Sequence, residues 1–398
     1  MNPLSQRVIN MNESATIAMA QKGKDLRAKG VDVISLSLGE PDFKTPKHIQ
    51  EAAITAINSE KYFSYPPVPG YPDLREAIAK KFREENNIDC TATNIVVSNG
   101  AKHSIANVMM AMLNPGDEVL VLSPYWVSYA DLVEVAEGTP VYVKGTFENK
   151  FKATADQIEA AITDKTKLMI YSSPCNPSGE AFTMEETEAI VKVVEKYPNL
   201  YVISDEIYEY INFVGEHISI GSYPSVQDRI ITINGVSKAY AMTGWRVGYM
   251  CANEVIAKAC NKIQGQFTSG INGIAQRAAL SALQEDFGPT QEMVNEYGER
   301  RKLVYDLLAE IPGLKTLMPS GAFYFFPDVS SYFGKSYNGR AIDNASDLSM
   351  YLLEEAHVSV VTGDAFGIPE CVRLSYAASR EDLVEAIKRI KDSLSKLS

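Results

Sequence analysis

Short apolar runs alternate with longer segments of helical period between residues 90 and 250. The short runs are rich in β-branched residues, as buried strands are, and the longer segments repeat their apolar residues every three or four positions. This alternation predicts a doubly wound α/β domain, in which helices cover a mostly parallel sheet. The predicted strands are 95–98, 118–122, 141–143, 168–172, 201–204, 230–234 and 247–251, and the predicted helices include 104–113 and 185–196.

The pattern changes near residue 290. Residues 291–311 are typical of one long charged helix, and the sequences AFYFFPDV, SDLSMYLLEEAH and VSVVTG that follow mix strand and helix signals. A second, smaller α+β domain is therefore expected at the C-terminal end. About forty N-terminal residues are too few to fold alone. We predict an N-terminal segment 1–45 that packs with the small domain, a large domain 46–289 and a small domain 290–398.

Composition excludes several classes of protein. The 398 residues are 45% hydrophobic and 22% charged, which is ordinary for a folded chain. A net charge of −12 offers no general attraction to nucleic acid or to an anionic membrane, and no apolar run is long enough to span a bilayer. Five cysteines without a C-x-x-C pair and four scattered histidines predict no disulfide frame and no metal site. We expect a cytoplasmic protein whose proton carrier is not histidine.

Two glycine-containing segments imitate phosphate-binding motifs. The GKS sequence at 334–336 has Val329 where a P-loop requires glycine, and no strand-loop-helix frame surrounds it. The GING sequence at 270–273 lacks the G-x-G spacing of a dinucleotide-binding turn. Neither segment predicts a nucleotide site.

Polar segments follow several of the predicted strands, at the sheet edge where open α/β sheets bind ligands. SNGAK at 98–102 opens a helix, so its backbone N–H groups form either an anion site or an ordinary turn. NPSG at 176–179 is turn chemistry that would also aim an amide into a cleft. Asp205 stands at a strand tip, where a carboxylate faces a ligand or caps a helix.

Lys238 lies in the almost uncharged segment NGVSKAYAMTGW. A lysine is normally a solvated surface group with a pKa near ~10.4. Burial and a nearby cation lower that pKa, and a neutral lysine is a nucleophile for carbonyl compounds. Lys238 is thus a candidate for Schiff-base chemistry.

Together these segments resemble the fold-type I pyridoxal phosphate (PLP) enzymes, and specifically the class I aminotransferases of the bacterial aspartate aminotransferase type. The resemblance covers nearly the whole chain and is carried by SLSLGEPDF at 35–43, Tyr65, Tyr125-Trp126, the strand-end segments, SKAYAMTGWRVGY at 237–249 and VRLSYA at 372–377. It implies that family's α/β fold, with a mostly parallel sheet between helices in a large domain and a smaller α+β domain beside it.

The resemblance also implies PLP as the cofactor and a role for each matching residue. Lys238 would form the Schiff base and move the proton, Asp205 would pair with the pyridine nitrogen, and Tyr208 and Asn176 would bind the ring oxygen. Trp126 would stack on the ring. The residues implied for the phosphate are Gly100, Ala101, Lys102, Ser237 and Arg246, with Tyr65 reaching the phosphate of a neighbouring subunit in a homodimer.

Arg373 would clamp the α-carboxylate of an amino acid or 2-oxo acid substrate, helped by Asn176 and the Gly39 backbone. The alternative for Arg373 is a surface ion pair, which the uncharged VRLSYA segment disfavours. The implied reaction moves an amino group from L-aspartate, or a related amino acid, to 2-oxoglutarate by a ping-pong mechanism through pyridoxamine phosphate. The protein is therefore expected to be an enzyme that acts on small molecules.

One departure leaves the substrate open. Relatives often carry Lys-Pro where this chain has Asn12-Glu13, and that lysine meets the distal carboxylate of a dicarboxylic substrate. Ser14, Thr16, Lys102 and Gln266 are the candidates to replace it. The alternatives are an aminotransferase for aromatic amino acids or prephenate, a PLP lyase on the same scaffold, and a non-catalytic regulatory protein of the same fold.

Overall fold

The structure is a computed structural model that describes residues 3–11 and 14–398. The α-helices of this part of the chain are α1 (Gln6–Asn10), α2 (Ala15–Ala28), α3 (Lys47–Asn58), α4 (Pro72–Asn86), α5 (Ala101–Met112), α6 (Ser128–Val135), α7 (Ala155–Ala161), α8 (Met184–Lys196), α9 (Glu254–Phe267), α10 (Gly273–Gln284), α11 (Gly288–Ala309), α12 (Ala345–Tyr351) and α13 (Arg380–Leu394). The strands are β1 (Ile34–Ser35), β2 (Ile95–Ser98), β3 (Glu118–Ser123), β4 (Thr139–Lys144), β5 (Thr166–Ser172), β6 (Tyr201–Asp205), β7 (Ile230–Gly235), β8 (Gly248–Cys251), β9 (Tyr324–Phe325), β10 (Lys335–Tyr337), β11 (Arg340–Ile342), β12 (Val358–Ser359), β13 (Val361–Thr362) and β14 (Val372–Ser375).

Seven strands form the central sheet, in the order β2-β8-β7-β6-β5-β3-β4. Only β8 runs antiparallel to its neighbours. Alternate residues of β3 enter different cores: Val119 and Val121 pack with α5, whereas Leu120 and Leu122 pack with α8. Both faces of the sheet are therefore covered by helices, as parallel sheets require. The predicted α/β architecture is confirmed.

Every strand predicted for this sheet is present; the strand at 95–98 has the predicted ends, and the other six are shifted at one end or both. The strand predicted at 141–143 covers Thr139–Lys144, because it pairs in register with the whole of β3. The helix predicted at 104–113 begins three residues earlier, at Ala101, because Gly100 adopts a φ of +83° and breaks the chain direction directly after β2. Helix α8 begins at Met184, where Thr183 and Glu186 form a reciprocal capping box.

The C-terminal region builds a second, smaller set of strands. β13, β14 and β9 form an antiparallel sheet, and the N-terminal strand β1 pairs with β12. Ile34 and Leu36 share a core with Phe325, Val358 and Leu374. The division of the chain at residues 45 and 289 stays a prediction.

The GKS sequence at 334–336 belongs to a β-hairpin. Strands β10 and β11 pair antiparallel around Asn338-Gly339, and both of these residues have positive φ. Asn-Gly is the favoured pair for a two-residue hairpin turn because it tolerates that conformation. Among the helices of residues 3–11 and 14–398, none combines the length and the apolar character needed to cross a bilayer.

Candidate active site

The carboxyl ends of the parallel strands open into one cavity. Asp205 ends β6, and Lys238 follows β7 by three residues. The cavity has a volume of about 320 Å³, within the range of small-ligand sites. All of the site residues predicted from the sequence line it except Gly100 and Tyr65, namely Gly39, Ala101, Lys102, Trp126, Asn176, Asp205, Tyr208, Ser237, Lys238, Arg246 and Arg373.

Lys238 is half-buried and points its amine into this cavity. Its Nζ donates a hydrogen bond to the Gly39 carbonyl oxygen at 2.6 Å. Burial lowers the pKa of Lys238 to about 8, and the positive charges of Arg373 and Arg246 act in the same direction. About one-tenth of Lys238 is therefore the neutral, nucleophilic amine at pH 7, far more than for an ordinary lysine.

Asp205 presents a buried carboxylate to the same cavity. It accepts a hydrogen bond from the Tyr129 hydroxyl at 2.6 Å and a longer one from the backbone N–H of Ile207. Burial raises the pKa of Asp205 to about 6. Residues 207–210 form a turn, so the alternative of a helix N-cap at Asp205 is wrong.

The start of α5 forms a cradle for an anion. The first N–H groups of a helix lack intrahelical partners, and Ala101 and Lys102 supply them here. Arg246 approaches so closely that a Cβ on Gly100 would collide with its guanidinium group. That guanidinium donates only to backbone carbonyls, of Thr243 at 3.0 Å and of Asn99 at 3.3 Å. Positive charge and free donors thus converge without a carboxylate partner among the described residues.

Arg373 lies in the interior, with 1% of its surface exposed. Its Nη1 donates to Asn176 Oδ1 at 2.9 Å and its Nη2 to the Ser37 carbonyl at 2.6 Å. Its Nε has no hydrogen-bond partner in the described structure. A buried guanidinium with neutral partners contradicts the alternative of a surface ion pair, and it leaves capacity for an anionic ligand.

Lys102 brings a further cation to the cavity. Its Nζ lies 4.8 Å from the centre of the Trp126 ring, and burial, with the nearby Arg246, lowers its pKa. Ser14 and Thr16 line the cavity as well, whereas Gln266 is exposed and does not. Asn12-Glu13 lie outside the described residues.

Tyr65 does not reach the cavity of its own chain, and 94% of its surface is exposed. Tyr129 and Tyr324 were not predicted from the sequence, yet both line the cavity. The Tyr324 hydroxyl lies 2.7 Å from the Tyr208 hydroxyl. No sequence signal joins residues so far apart in the chain.

A separate cluster of buried charges lies beyond the tip of β6. Lys81 pairs with Glu209 and donates to Asn86 Oδ1 at 2.7 Å, while His217 contacts Glu206 at 2.9 Å. Glu206, Glu209 and His217 offer ligand atoms within 4.8 Å of one another, a grouping that the spacing of histidines along the sequence did not predict. Each carboxylate oxygen of this cluster already has a partner: Lys81 and Asn86 contact Glu209, and His217 and two serine hydroxyls contact Glu206.

The chemistry of the donor set in the cavity fits PLP. Lys238 offers an amine for its aldehyde, Asp205 a carboxylate for its pyridine nitrogen, and the α5 cradle a site for its phosphate. Arg373 is not needed for PLP and is free to bind a carboxylate of another ligand.

Similarity to known proteins extends over nearly the whole chain. The profile of the family "Aminotransferase class I and II" matches residues 31–390. A bifunctional aspartate aminotransferase and glutamate/aspartate-prephenate aminotransferase from Petunia hybrida is 44% identical, over 98% of this chain and 82% of that protein. An aspartate/prephenate aminotransferase from Nitrosomonas europaea is 42% identical, over 98% and 100%.

Solved structures show the same similarity. The aspartate aminotransferase from Rhizobium meliloti superposes with a TM-score of 0.96 at 38% identity, over the full length of both chains. The aspartate aminotransferase from Thermus thermophilus with maleate superposes with a TM-score of 0.92 at 40% identity, over 99% of this chain and 100% of that one.

Proposed function

Because the chain belongs to the aminotransferase class I and II family and is a PLP-dependent aminotransferase, we propose that it transfers the amino group of L-aspartate to 2-oxoglutarate. One observation carries this choice of substrate. Besides Lys238 and Arg246, the cavity is lined by two further cations, Arg373 and Lys102, which suits a substrate with two carboxylates.

Bound PLP would withdraw electrons from the substrate Cα, which makes the proton on that carbon acidic. Lys238 would hold the cofactor through its side-chain amine. Asp205 and the α5 cradle with Ser237 and Arg246 would bind its two ends, while Trp126 would pack on the ring. Tyr208 and Asn176 would donate to the ring oxygen.

The proton would then be carried by Lys238. Its low pKa gives a neutral Nζ that accepts the proton from Cα and returns it as the acid in the reverse direction. The Gly39 carbonyl directs the free Nζ into the cavity. One amine thus serves as base and acid, which is why the site works without histidine.

Arg373 would orient the substrate by binding its α-carboxylate through the planar fork of its guanidinium. Its unpartnered Nε and its neutral hydrogen-bond partners support this role. Lys102 would meet the distal carboxylate, with the hydroxyls of Ser14 and Thr16 beside it. The Thermus relative, whose structure holds the dicarboxylate maleate, supports a dicarboxylic ligand in such a cavity.

A second candidate is prephenate as the amino acceptor. It is favoured by the names of the Petunia and Nitrosomonas relatives, which both include prephenate. Prephenate also carries two carboxylates, so the same two cations would serve it.

We further propose a cytoplasmic homodimer. Tyr65 and Phe63 project from one loop, and they are 94% and 64% exposed. Large exposed aromatic side chains that lie together mark surfaces that bind a partner. The five free cysteines fit a reducing compartment. Sedimentation of the wild type and of Phe63→Ser tests the dimer, which is expected to weaken in the variant.

Single-turnover spectroscopy tests the function. The PLP-loaded enzyme is mixed with one amino acid and no acceptor, and its absorbance is followed. L-Aspartate is expected to convert the chromophore fully, and 2-oxoglutarate to restore it; faster restoration by prephenate would select the second candidate. Release of pyruvate and ammonia without an acceptor would show a lyase instead.

Two variants test the roles of Lys102 and Arg373 separately. Lys102→Met is expected to lower kcat/KM for aspartate by about 10- to 100-fold, the value of a charged hydrogen bond, and to leave alanine nearly unchanged. Arg373→Lys is expected to impair both substrates. Equal losses for aspartate and alanine in Lys102→Met would contradict the assignment of the distal carboxylate.

A further inference from the structure

We propose that Tyr324 is a positioning residue that holds both the phenol of Tyr208 and the guanidinium of Arg373 in place. This inference rests on the proposed function, in which Tyr208 donates to the ring oxygen of PLP and Arg373 binds the substrate carboxylate. Tyr324 sits on β9 in the small sheet, whereas Tyr208 follows β6 of the central sheet. The hydrogen bond between them therefore joins the two sheets across the cavity.

The hydroxyl of Tyr324 has one possible direction of donation when PLP is bound. The two phenol oxygens lie 2.7 Å apart, and both side chains are buried. Burial raises the pKa of both phenols, so each keeps its single proton. If Tyr208 donates its proton to the cofactor, it can only accept from its neighbour. Tyr324 must therefore be the donor.

This direction has a chemical consequence. A hydroxyl that accepts a hydrogen bond becomes a better donor, because the two bonds polarise each other. Tyr324 thus strengthens the bond that Tyr208 makes to the ring oxygen. It also fixes the rotation of the Tyr208 hydroxyl, which would otherwise be free to turn away.

The ring of Tyr324 has a different neighbour. The guanidinium carbon of Arg373 lies 4.6 Å from the ring centre, a cation–π distance. Ser375 of β14 pairs directly with Tyr324 of β9, so the backbone ladder sets this approach. The ring supports the guanidinium without using any of its N–H donors, so those that Asn176 and Ser37 do not occupy stay available for a carboxylate.

Gly39 lies so close to the Tyr324 side chain that no larger residue would fit there. A Cβ at position 39 would overlap the Tyr324 hydroxyl, and the Gly39 carbonyl is the acceptor for Lys238. One tyrosine therefore contacts three groups on which the proposed chemistry depends. Tyr324 is nevertheless not assigned a contact with the reacting atoms.

The test distinguishes the role of the Tyr324 hydroxyl from the role of its aromatic ring. Tyr324→Phe removes only the hydroxyl, Tyr324→Leu removes both, and Tyr376→Phe is the matched control. Tyr376 is a fully buried tyrosine next to the same small sheet, and its hydroxyl donates to the Ala322 carbonyl at 2.9 Å, away from the cavity. Each PLP-loaded variant is titrated with acid and base while its visible absorbance is recorded, which needs no turnover.

In Tyr324→Phe the pH midpoint of the absorbance change is expected to rise by roughly 0.3 to 1 unit, because the anionic ring oxygen loses stabilisation. Its KM for the amino acid is expected to stay within about twofold of wild type. Tyr324→Leu is expected to show the same spectral shift and a KM raised by roughly 3- to 30-fold. Tyr376→Phe is expected to show neither change.

An unchanged midpoint in Tyr324→Phe, or an equal shift in Tyr376→Phe, would overturn the positioning role. Failure of the proposed function would look different. A wild-type protein that binds PLP but exchanges no amino group with any amino acid would refute the reaction, while the absorbance titration would still report on Tyr324.

Discussion

Two groups of buried charges lie near the tip of β6, and they differ in the partners that surround them. Beyond the tip, Lys81 and Glu209 neutralise each other inside the protein. In the cavity, Lys238 donates to a carbonyl, Asp205 accepts from a phenol, and Arg373 donates to an amide and a carbonyl. In the described structure the hydrogen bonds of these three groups go to neutral partners.

The pKa values of Glu209 and Asp205 are shifted in opposite directions. Burial by itself would raise the pKa of Glu209, but Lys81 and His217 outweigh it and the pKa is lowered. Burial of Asp205 is only partly offset by the hydrogen bonds from Tyr129 and Ile207 and by the charge of Lys238, and its pKa rises to about 6. Charges that face partners stabilise the fold, whereas charges left without them are costly until a ligand brings the opposite charge. Unpaired buried charge thus marks the functional side.

Loss of Lys238 is expected to give the largest effect on activity. In Lys238→Ala, turnover should fall by about 10⁴-fold or more, because both the nucleophile and the proton carrier are gone. The free energy of unfolding of the apo protein should not fall, since no ion pair is broken. Steady-state kinetics and urea unfolding measure the two, with the exposed Lys388→Ala as control. Retained transamination would refute the role of Lys238.

Loss of Lys81 is expected to lower the stability of the protein and to leave its activity nearly unchanged. Lys81→Met leaves Glu209 buried without its counter-charge and should cost about 3–5 kcal/mol of unfolding free energy. The folded fraction should keep its kcat within about twofold. Urea unfolding of Lys81→Met and of the double variant Lys81→Met/Glu209→Gln measures the pair, and the double variant should regain part of the loss. If Lys81→Met were as stable as wild type, the pairing of Lys81 with Glu209 would not distinguish this cluster from the cavity.

The pH dependence of stability should have opposite signs in the two regions. The raised pKa of Asp205 means that the folded state binds the proton more tightly, so the stability that it contributes is complete below pH 4 and is lost as the pH rises through about 6. Asp205→Asn should therefore stabilise the apo protein by about 1–3 kcal/mol above pH 6 and have little effect below pH 4. Urea unfolding across this range is the measurement.

Glu209→Gln is the matched comparison for Asp205→Asn. The lowered pKa of Glu209 contributes stability above about pH 4.5, which is lost as acid protonates the carboxylate. The variant should be less stable than wild type near neutral pH, and the difference should shrink in acid. Equal pH profiles for both variants would show that pairing does not distinguish the regions.

The smallest expected effect is on the rate of cofactor uptake. With a pKa of about 8, Lys238 is about one-tenth neutral at pH 7 and almost fully neutral above pH 9. Condensation of the apo protein with PLP, followed by absorbance, should accelerate about tenfold over that interval. A midpoint near that of an ordinary lysine would show that the site does not depress the pKa.

Much of the site could be predicted from the sequence, because parallel strands converge at one sheet edge and their C-terminal residues must meet there. Asp205 and Lys238 follow neighbouring strands, and their meeting in one cavity was expected on that ground. Arg373 was assigned through the family resemblance, and its uncharged surroundings argued against a surface ion pair. The hairpin at Asn338-Gly339 also had a sequence signal, which the GKS sequence beside it obscured.

Other features had no signal along the chain. The Tyr129–Asp205 contact spans 76 positions and the Tyr208–Tyr324 contact 116. Each depends on how a helix or a second sheet packs over the strand ends, which local pattern does not specify. The pairing of Lys81 with Glu209 is of the same kind.

The sequence by itself determined the central sheet and the identity of the chemical groups at its edge, because the alternation of strand and helix fixes which residues follow each strand. Only the tertiary structure decided which of the buried charges have counter-charges. Pairing depends on distances of a few ångströms between elements remote in the chain, and burial makes each pairing, or its absence, energetically decisive.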